Sequence, residues 1–337
     1  MKAVLFKSEK RFAAFKRKLE EYGVEAMVLD FAKPEWVGYD YSTVDFLIYF
    51  PSFSYSSNHP LALSQVHDNL MYLHSKYPSL IMFPDPNAIP FYNDKYRQFL
   101  FLKGNNFPMP ETIALVAMHG VEEAERKLGY PMVLKNRYGA GGGSVFRVGN
   151  RRELLKYYDI SQMNFFSRGA VRFLLGEISK REFYFFLIKA RKANYPFLSP
   201  PLLAQEFVHI DRDLKTVVGN FKVVEAHWRL QADESMWKMN IDGGGTGVWG
   251  HVPEEAIEIS VRLAKALGTR WLNLDMIVKD NRFLITEFSP VWHHYAYREK
   301  PSFIYRGDYN IDPPLEISLD LERMIVESLM EASTEGE

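Results

Sequence analysis

The stretch Met132-Val133-Leu134-Lys135-Asn136-Arg137-Tyr138-Gly139-Ala140-Gly141-Gly142-Gly143-Ser144, continuing through Val145 to Val148, reads as strand, glycine turn, strand. A strand follows the glycines where a dinucleotide fingerprint would place a helix, and no Gly-Lys-Ser/Thr closes the loop as a Walker motif requires. The segment is therefore a hairpin, with Lys135 at the end of its first strand. Glycine lets backbone amides face an anion at close range, and a lysine beside them adds a point charge. Taken alone, the stretch supports two readings: a phosphate cradle, or a flexible hairpin tip with a surface lysine.

Upstream, apolar runs at Lys2 to Phe6, Glu25 to Asp30, Val44 to Phe50 and Leu80 to Phe83 alternate with helical stretches, the rhythm of a small α/β sheet. Asn93 is placed to cap a helix beginning at Asp94, and Gly104-Asn105-Asn106 with Pro108 and Pro110 ends it. Downstream, Leu202 to Val208 reads as an apolar strand, and Leu214 to Val218 with Lys222 to Arg229 as a second hairpin. Pro253 to Leu267 is a helix opened by proline and followed by Gly268. Trp271 to Val278 and Phe283 to Ser289 are the closing strands, and Ala332 to Glu337 is a polar tail expected to fray.

The 337 residues carry 41 Lys plus Arg against 42 Asp plus Glu, so no overall field draws the chain to nucleic acid or anionic lipid. With no cysteine it has no disulfide, thiol nucleophile, thiolate-bound zinc or iron–sulfur cluster, and a metal must sit on oxygen or imidazole. No apolar run nears the roughly 18 residues of a membrane helix, and the opening Met1 to Lys10 lacks a secretory core, which reads as a cytoplasmic protein.

The closing strands carry two acids, Asp275 in Leu272 to Ile277 and Glu287 in Leu284 to Pro290. A carboxylate among Leu, Ile and Phe is costly to ionise unless a cation or donor compensates it, and magnesium on one or two carboxylates is a natural candidate. The alternative is an ordinary ion pair on a solvated sheet face. Register separates them. A two-residue Asp280-Asn281 turn would pair Asp275 with Thr286 and leave Glu287 on the opposite face. A three-residue loop at Asp280 to Arg282, or a one-residue bulge, would set Asp275 across from Glu287 with Ser289 on the same face. The three-residue loop is the expectation. Elsewhere, Gln205-Glu206-Phe207-Val208 ends a strand whose freed backbone groups suit an adenine edge, with Asp213 beyond it for ribose hydroxyls. Arg229, then Trp237-Lys238-Met239-Asn240 before a glycine run, would neutralise charge on a phosphoryl group, with Asn240 as a further oxygen ligand.

In this order the pieces resemble the ATP-grasp superfamily, and within it the RimK-like carboxylate-amine ligases, over about Asn93 to Pro290. The matching residues are Asn93-Asp94-Lys95, Phe107 to Thr112, Pro131 to Lys135 with its glycine loop, Gln205 to Val208, Asp213, Arg229, Lys238-Met239-Asn240 with Gly243-Gly244, Asp275, and Glu287-Phe288-Ser289-Pro290. The resemblance implies an α/β (α+β) architecture: an N-terminal pre-ATP-grasp α/β domain over 1–92, a small subdomain over 93–204 with the glycine lid, a C-terminal subdomain over 205–331, and a tail over 332–337. ATP would lie between the two subdomains. It implies Lys95 and Lys135 as phosphate contacts beside Gly141, Gly142, Gly143 and Ser144; Gln205, Glu206, Phe207 and Val208 as the adenine hinge; and Asp213 at the ribose. Arg229 and Lys238 would steady an acyl-phosphate, Asn240 would lie near phosphate and metal, and Asp275, Glu287 and Ser289 would hold magnesium or manganese. Three departures stand out: Ser289 where the family usually has asparagine, and Lys215 and Lys238 where it usually has arginine. A hydroxyl is a poorer magnesium ligand than an amide oxygen.

The implied reaction joins a carboxylate and an amine through an acyl-phosphate, the glycine hairpin acting as a lid against water. Two alternatives remain open here: an ATP-binding protein with little ligase activity, and a kinase on the same cleft. Between Arg151 and Pro200, 10 Lys plus Arg against 4 Asp plus Glu are interleaved with 11 aromatics. This insert would dock a peptide, an acidic tail or a nucleic-acid strand, or else Phe173 to Leu175 and Phe185 to Leu187 cover the sheet or a second copy of the chain, the reading favoured here. His293-His294-Tyr295 is a further candidate for the substrate pocket, while adjacent histidines point apart and do not suit zinc.

Overall fold

The computed structural model describes residues 1–8, 11–51, 63–139, 142–162, 168–183, 202–231, 237–239, 245–248, 252–291, 302–304, 315–317 and 320–335. A parallel sheet opens the chain. Strands β1 (Lys2–Phe6), β2 (Glu25–Leu29), β3 (Phe46–Ile48) and β4 (Ile81–Phe83) lie in the order β2-β1-β3-β4, connected through helices α1 (Phe12–Glu21), α2 (Glu35–Gly38) and α3 (Leu63–Lys76). The central strands are buried on both faces, which is why Val4, Leu5 and Phe6 and then Phe46, Leu47 and Ile48 run without polar alternation.

Helix α4 (Lys95–Gly104) leads out of this unit. Its cap is Asp94, whose carboxylate accepts from the Arg97 amide at 3.0 Å; Asn93, expected to cap, precedes it with a left-handed φ of 56°. Asp94 also grips Arg137, just past the first hairpin strand, through Nε at 2.9 Å and Nη2 at 2.7 Å. One carboxylate thus fixes a helix start to the root of the glycine turn. Asp94→Ala is expected to lower stability by about 1–2 kcal/mol in urea unfolding through the lost cap alone; a change under about 0.5 kcal/mol would show that the cap contributes little here.

The second sheet is antiparallel in the order β5-β8-β6-β7, from β5 (Thr112–Leu115), β6 (Met132–Asn136), β7 (Val145–Val148) and β8 (Leu202–Glu206). Helices α5 (Met118–Leu128) and α6 (Arg151–Ser161) bury Val121, Ala124 and Leu154 with Leu134 and Ala204 on one face. Val133, Lys135 and Gln205 are left on the other. Since β8 continues through Gln205 and Glu206, the division after 204 falls inside a strand of this sheet. The insert adds α7 (Arg168–Leu174) and α8 (Lys180–Phe183). Phe173 stacks on Phe183 at 4.2 Å and both pack on the sheet's core, whereas Leu174 and Leu175 are 82% and 70% exposed and do not cover it. Phe185 to Leu187 lie outside the described residues.

A larger antiparallel sheet, ordered β11-β10-β9-β12-β13, follows: β9 (Arg212–Gly219), β10 (Lys222–Leu230), β11 (Thr246–Val248), β12 (Trp271–Lys279) and β13 (Arg282–Ser289). Helix α9 (Glu254–Leu267), closed by Gly268 at φ 67°, covers one face with Ile257, Leu263 and Ala264 over Leu214, Leu272, Leu274 and Met276. Strands β14 (Ser302–Ile304) and β15 (Leu315–Ile317) form a small ribbon. Helix α10 (Leu321–Glu335) then returns to the first sheet, packing Leu321, Ile325, Val326 and Leu329 with Phe15, Leu19 and Phe83, and joining Glu322 to Arg11 in a buried ion pair. The tail expected from Ala332 onward is therefore helical through Glu335, with Ala332 buried. Among the described residues no helix is long and apolar enough to cross a membrane.

Candidate active site

On β12 the side chains alternate without a break. Leu272, Leu274 and Met276 enter the core under α9, while Asn273, Asp275 and Ile277 line a cleft of about 430 Å³ facing the second sheet. On β13 the alternation slips: Phe283 and Ile285 enter the core, and so does Phe288, three residues further on. The connecting turn is the two-residue Asp280-Asn281, at φ 50° and 59°, with Lys279 opposite Arg282. That left-handed pair is what a type I′ turn demands. The three-residue loop expected from the sequence is thus overturned. A one-residue bulge supplies the register instead, since Met276 pairs with Ile285 but Asp275 pairs with Glu287, and Asn273 with Ser289. The extra residue, Thr286, is pinned. Its Oγ1 donates to the Asp275 carbonyl, and its own carbonyl accepts from Lys135 Nζ, both at 3.0 Å.

Charges alternate across this face. Glu287 Oε1 lies 3.2 Å from Lys95 Nζ, which also donates to the Gly139 carbonyl at the edge of the glycine turn. Asp275 meets Lys215 at 2.8 Å and Arg229 at 3.0 Å. Burial alone would raise the Asp275 pKa, but Arg229 and Lys215 outweigh it and hold the carboxyl well below the usual range. For Arg229 burial works against the charge, and Asp275 and Asp213 more than restore it, so its pKa lies above the ordinary value. Asp213, expected at a ribose, has both oxygens in a fork with Arg229, at 2.7 and 2.6 Å. Burial raises its own pKa against the pull of that guanidinium. In this structure Asp213 aims Arg229 at Asp275.

The second sheet closes the cleft from the other side. Burial lowers the Lys135 pKa to about 8; Glu287 and Asp275 oppose the shift and Lys95 adds to it. Lys238 Nζ donates to the Gly142 carbonyl at 2.8 Å, so the glycine turn is tethered to the far wall, and burial lowers that lysine's pKa too, with Arg181 adding to the shift. Asn136 N donates to the carbonyl of the buried Ser144, closing the turn that holds Gly142 and Gly143. Gly141, Asn240, Gly243, Gly244 and His293 to Tyr295 lie outside the described residues. At the hinge, the Gln205 amide donates to Thr112 Oγ1 at 2.9 Å. The Glu206 carboxylate is taken by Lys279 and by the Glu111 amide, so its side chain is already committed. Phe207 and Val208 line the cleft, with the Arg147 guanidinium 4.4 Å above the Phe207 ring.

Of the residues that sequence reasoning grouped, Lys135, Arg229, Lys238, Asp275 and Glu287 line one cleft, and Lys95 lies beside it against Glu287. It missed Asn273, the Arg147–Phe207 contact and the Asp94–Arg137 clamp. A strand count from Asp275 reaches Asn273 two residues back on the same face; the other two pairings carry no signal in local sequence.

Lys135, Lys215, Arg229 and Lys238 line the cleft with Glu206, Asp213, Asp275 and Glu287, and Lys95 and Lys279 each reach one of these carboxylates from beside it, so six cations against four acids are at hand for a polyphosphate. No group of three or more His, Asp or Glu side chains converges among the described residues. A cation here would find two facing carboxylates and neutral oxygens, the donor set magnesium accepts when phosphate and water complete its shell. The residues therefore fit both groups.

The fold is the one found in solved ATP-grasp ligases. The ATP-grasp ligase PsnB, solved with a minimal precursor, Mg and ADP, superposes with a TM-score of 0.58 over 98% of both chains at 12% identity. The sequence likeness is to glutamate ligases and related synthases. The chain is 26% identical over 234 residues to tetrahydromethanopterin:alpha-L-glutamate ligase of Methanocaldococcus jannaschii, covering 67% of each chain. It is 24% identical over 202 residues to beta-citrylglutamate synthase B of Mus musculus, covering 58% of this chain and 43% of that one. The chain thus spans two thirds of the archaeal relative and less than half of the mouse one. No protein-family model matches it.

Proposed function

We propose that the chain is an ATP-dependent carboxylate-amine ligase that forms an amide or peptide bond on a small molecule or peptide. The observation that carries this reading is the facing pair Asp275 and Glu287 on the cleft side of β12 and β13, opposite Lys135 and beneath the glycine hairpin. The archaeal relative's glutamate ligation supports an amino acid as the amine.

In the proposed reaction a carboxylate oxygen attacks the γ-phosphorus of ATP and ADP leaves; the amine nitrogen then attacks the acyl carbon, phosphate leaves, and the amine gives up a proton. The chain's own part is charge and exclusion. Lys95 and Lys135 would hold phosphate oxygens, and Arg229, kept straight by Asp213, would meet the group in transfer. In the structure these cations neutralise Glu287 and Asp275; binding of a polyphosphate would draw them away and leave the acids to a cation. Magnesium bound by Asp275 and Glu287 would supply Lewis-acid stabilisation of the phosphate oxygens. The hairpin tethered by Lys238 would keep water from the activated acyl group.

A phosphate-release assay over amino acids, glutamate first, and candidate carboxylates tests the reading. ADP release that requires both substrates supports it; nucleotide binding without turnover, or a stable phosphorylated product, overturns it. The low pKa of Lys135 adds a second expectation. Its ammonium is mostly present at pH 7 and is lost as pH rises through about 8, so ATP affinity should weaken on going from pH 7 to 9. Lys135→Arg should flatten that profile, because a guanidinium stays charged. A wild-type affinity flat between pH 7 and 9, measured by calorimetry, would remove Lys135 from the phosphate site.

A further inference from the structure

Ser289 stands two residues after Glu287, where the family this chain resembles usually has asparagine. Its hydroxyl is turned into the following backbone, donating to the Val291 carbonyl and accepting from the Val291 amide at 3.3 Å. Directly across the strand pair lies Asn273, and two residues along β12 from it is Asp275, itself opposite Glu287. Facing side chains in such a pair sit with Cβ atoms about 5 Å apart, so these four residues form one patch lining the cleft. Asn273 is 8% exposed, and its Oδ1 has no hydrogen-bond partner among the described residues. A buried amide oxygen without a partner is rare and costly, which points to a partner the polypeptide does not supply. A phosphate oxygen cannot serve, because it also only accepts. A hard divalent cation can, and one beside Asp275 and Glu287 is within this oxygen's neighbourhood.

We infer that Asn273 supplies, from β12, the neutral amide oxygen that Ser289 does not supply from β13, so that the cation is held by Asn273, Asp275 and Glu287. The inference rests on the nucleotide and metal reading of the cleft given above. It makes the ligand set a transposition across the hairpin: the amide has moved to the facing strand at the same level.

The test is manganese(II) binding in the presence of ADP, read by the loss of the free-ion electron paramagnetic resonance signal beyond that produced by ADP alone, with no turnover involved. The wild-type chain should bind manganese. Asn273→Ala should weaken that binding by about tenfold or more, and the double variant Asn273→Ala/Ser289→Asn should recover most of it, because the amide returns on the opposite strand. Asn273→Asp, which keeps an oxygen at the same place and adds charge, should bind manganese at least as tightly as wild type; this variant decides the matter if the alanine form does not fold. Alanine binding within twofold of wild type, failure of the double variant to recover, or weaker binding by the aspartate variant would overturn the assignment of Asn273 while leaving the ligase reading in place. Absence of ADP-dependent manganese binding in the wild-type chain would overturn both.

Discussion

On the proposed ligase reading, exchanging Glu287 for glutamine is expected to lower turnover by about 10³-fold while leaving the chain folded, because losing a carboxylate proposed to hold the metal removes several kcal/mol of charge stabilisation at about 1.4 kcal/mol per tenfold. Glu287 lies on the cleft face, and the side chain it pairs with there is Lys95, at 3.2 Å. The hydrophobic core on the far side of β13 is made by Phe283, Ile285 and Phe288 and does not involve it. Glutamine keeps the shape and loses the charge. Phosphate release and thermal unfolding measured together check the expectation: turnover within tenfold of wild type would take Glu287 out of the mechanism, and a large fall in melting temperature would make its role structural.

Arg229→Met is expected to act on stability as well as rate. The guanidinium holds Asp213 in a two-bond fork and reaches Asp275, all three side chains being largely enclosed. Removing it leaves two carboxylates facing Lys215 alone, and breaking a buried pair in this way costs about 3–5 kcal/mol. The sign of the pH dependence follows from Asp275. Its folded pKa is depressed, so it contributes stability above the unfolded carboxylate value of about 3.9, and that contribution is lost as pH falls through the folded value. In the variant the depression is relieved. Urea unfolding should therefore show the largest gap from wild type near pH 7 and a smaller one near pH 3.5. An equal gap at both would mean that Arg229 stabilises through packing and not through charge.

Much of this molecule is readable because local patterns agree with the final contacts. The strand, glycine turn and strand at Met132 to Val148, the Pro253 to Leu267 helix with Gly268 behind it, and both closing strands all form close to where their periodicity places them. The register of the last hairpin was the hard part. The turn took its form from Asp280-Asn281, residues that tolerate positive φ, and the odd residue moved into the strand as a bulge at Thr286. A trace of it exists in the apolar spacing, two residues from Phe283 to Ile285 and then three to Phe288, which a two-residue count misses. Asp213 shows a different limit. The resemblance implies a ribose contact for Asp213, and local sequence gives no sign that its carboxylate pairs across β9 and β10 with Arg229, sixteen residues away in sequence. The return of helix α10 to the first sheet has no local signature either, since an amphipathic helix does not say which sheet it covers.

That return has a consequence for how the polypeptide is born. During vectorial synthesis the strands built from the first ninety residues emerge early, yet the surface around Phe15, Leu19 and Phe83 stays without its cover until Leu321 to Leu329 have been translated. A nascent chain would carry that apolar face bare while the residues in between are added, at roughly 5–20 residues per second a matter of tens of seconds, so the first sheet completes its core only after the two sheets that follow it have been made.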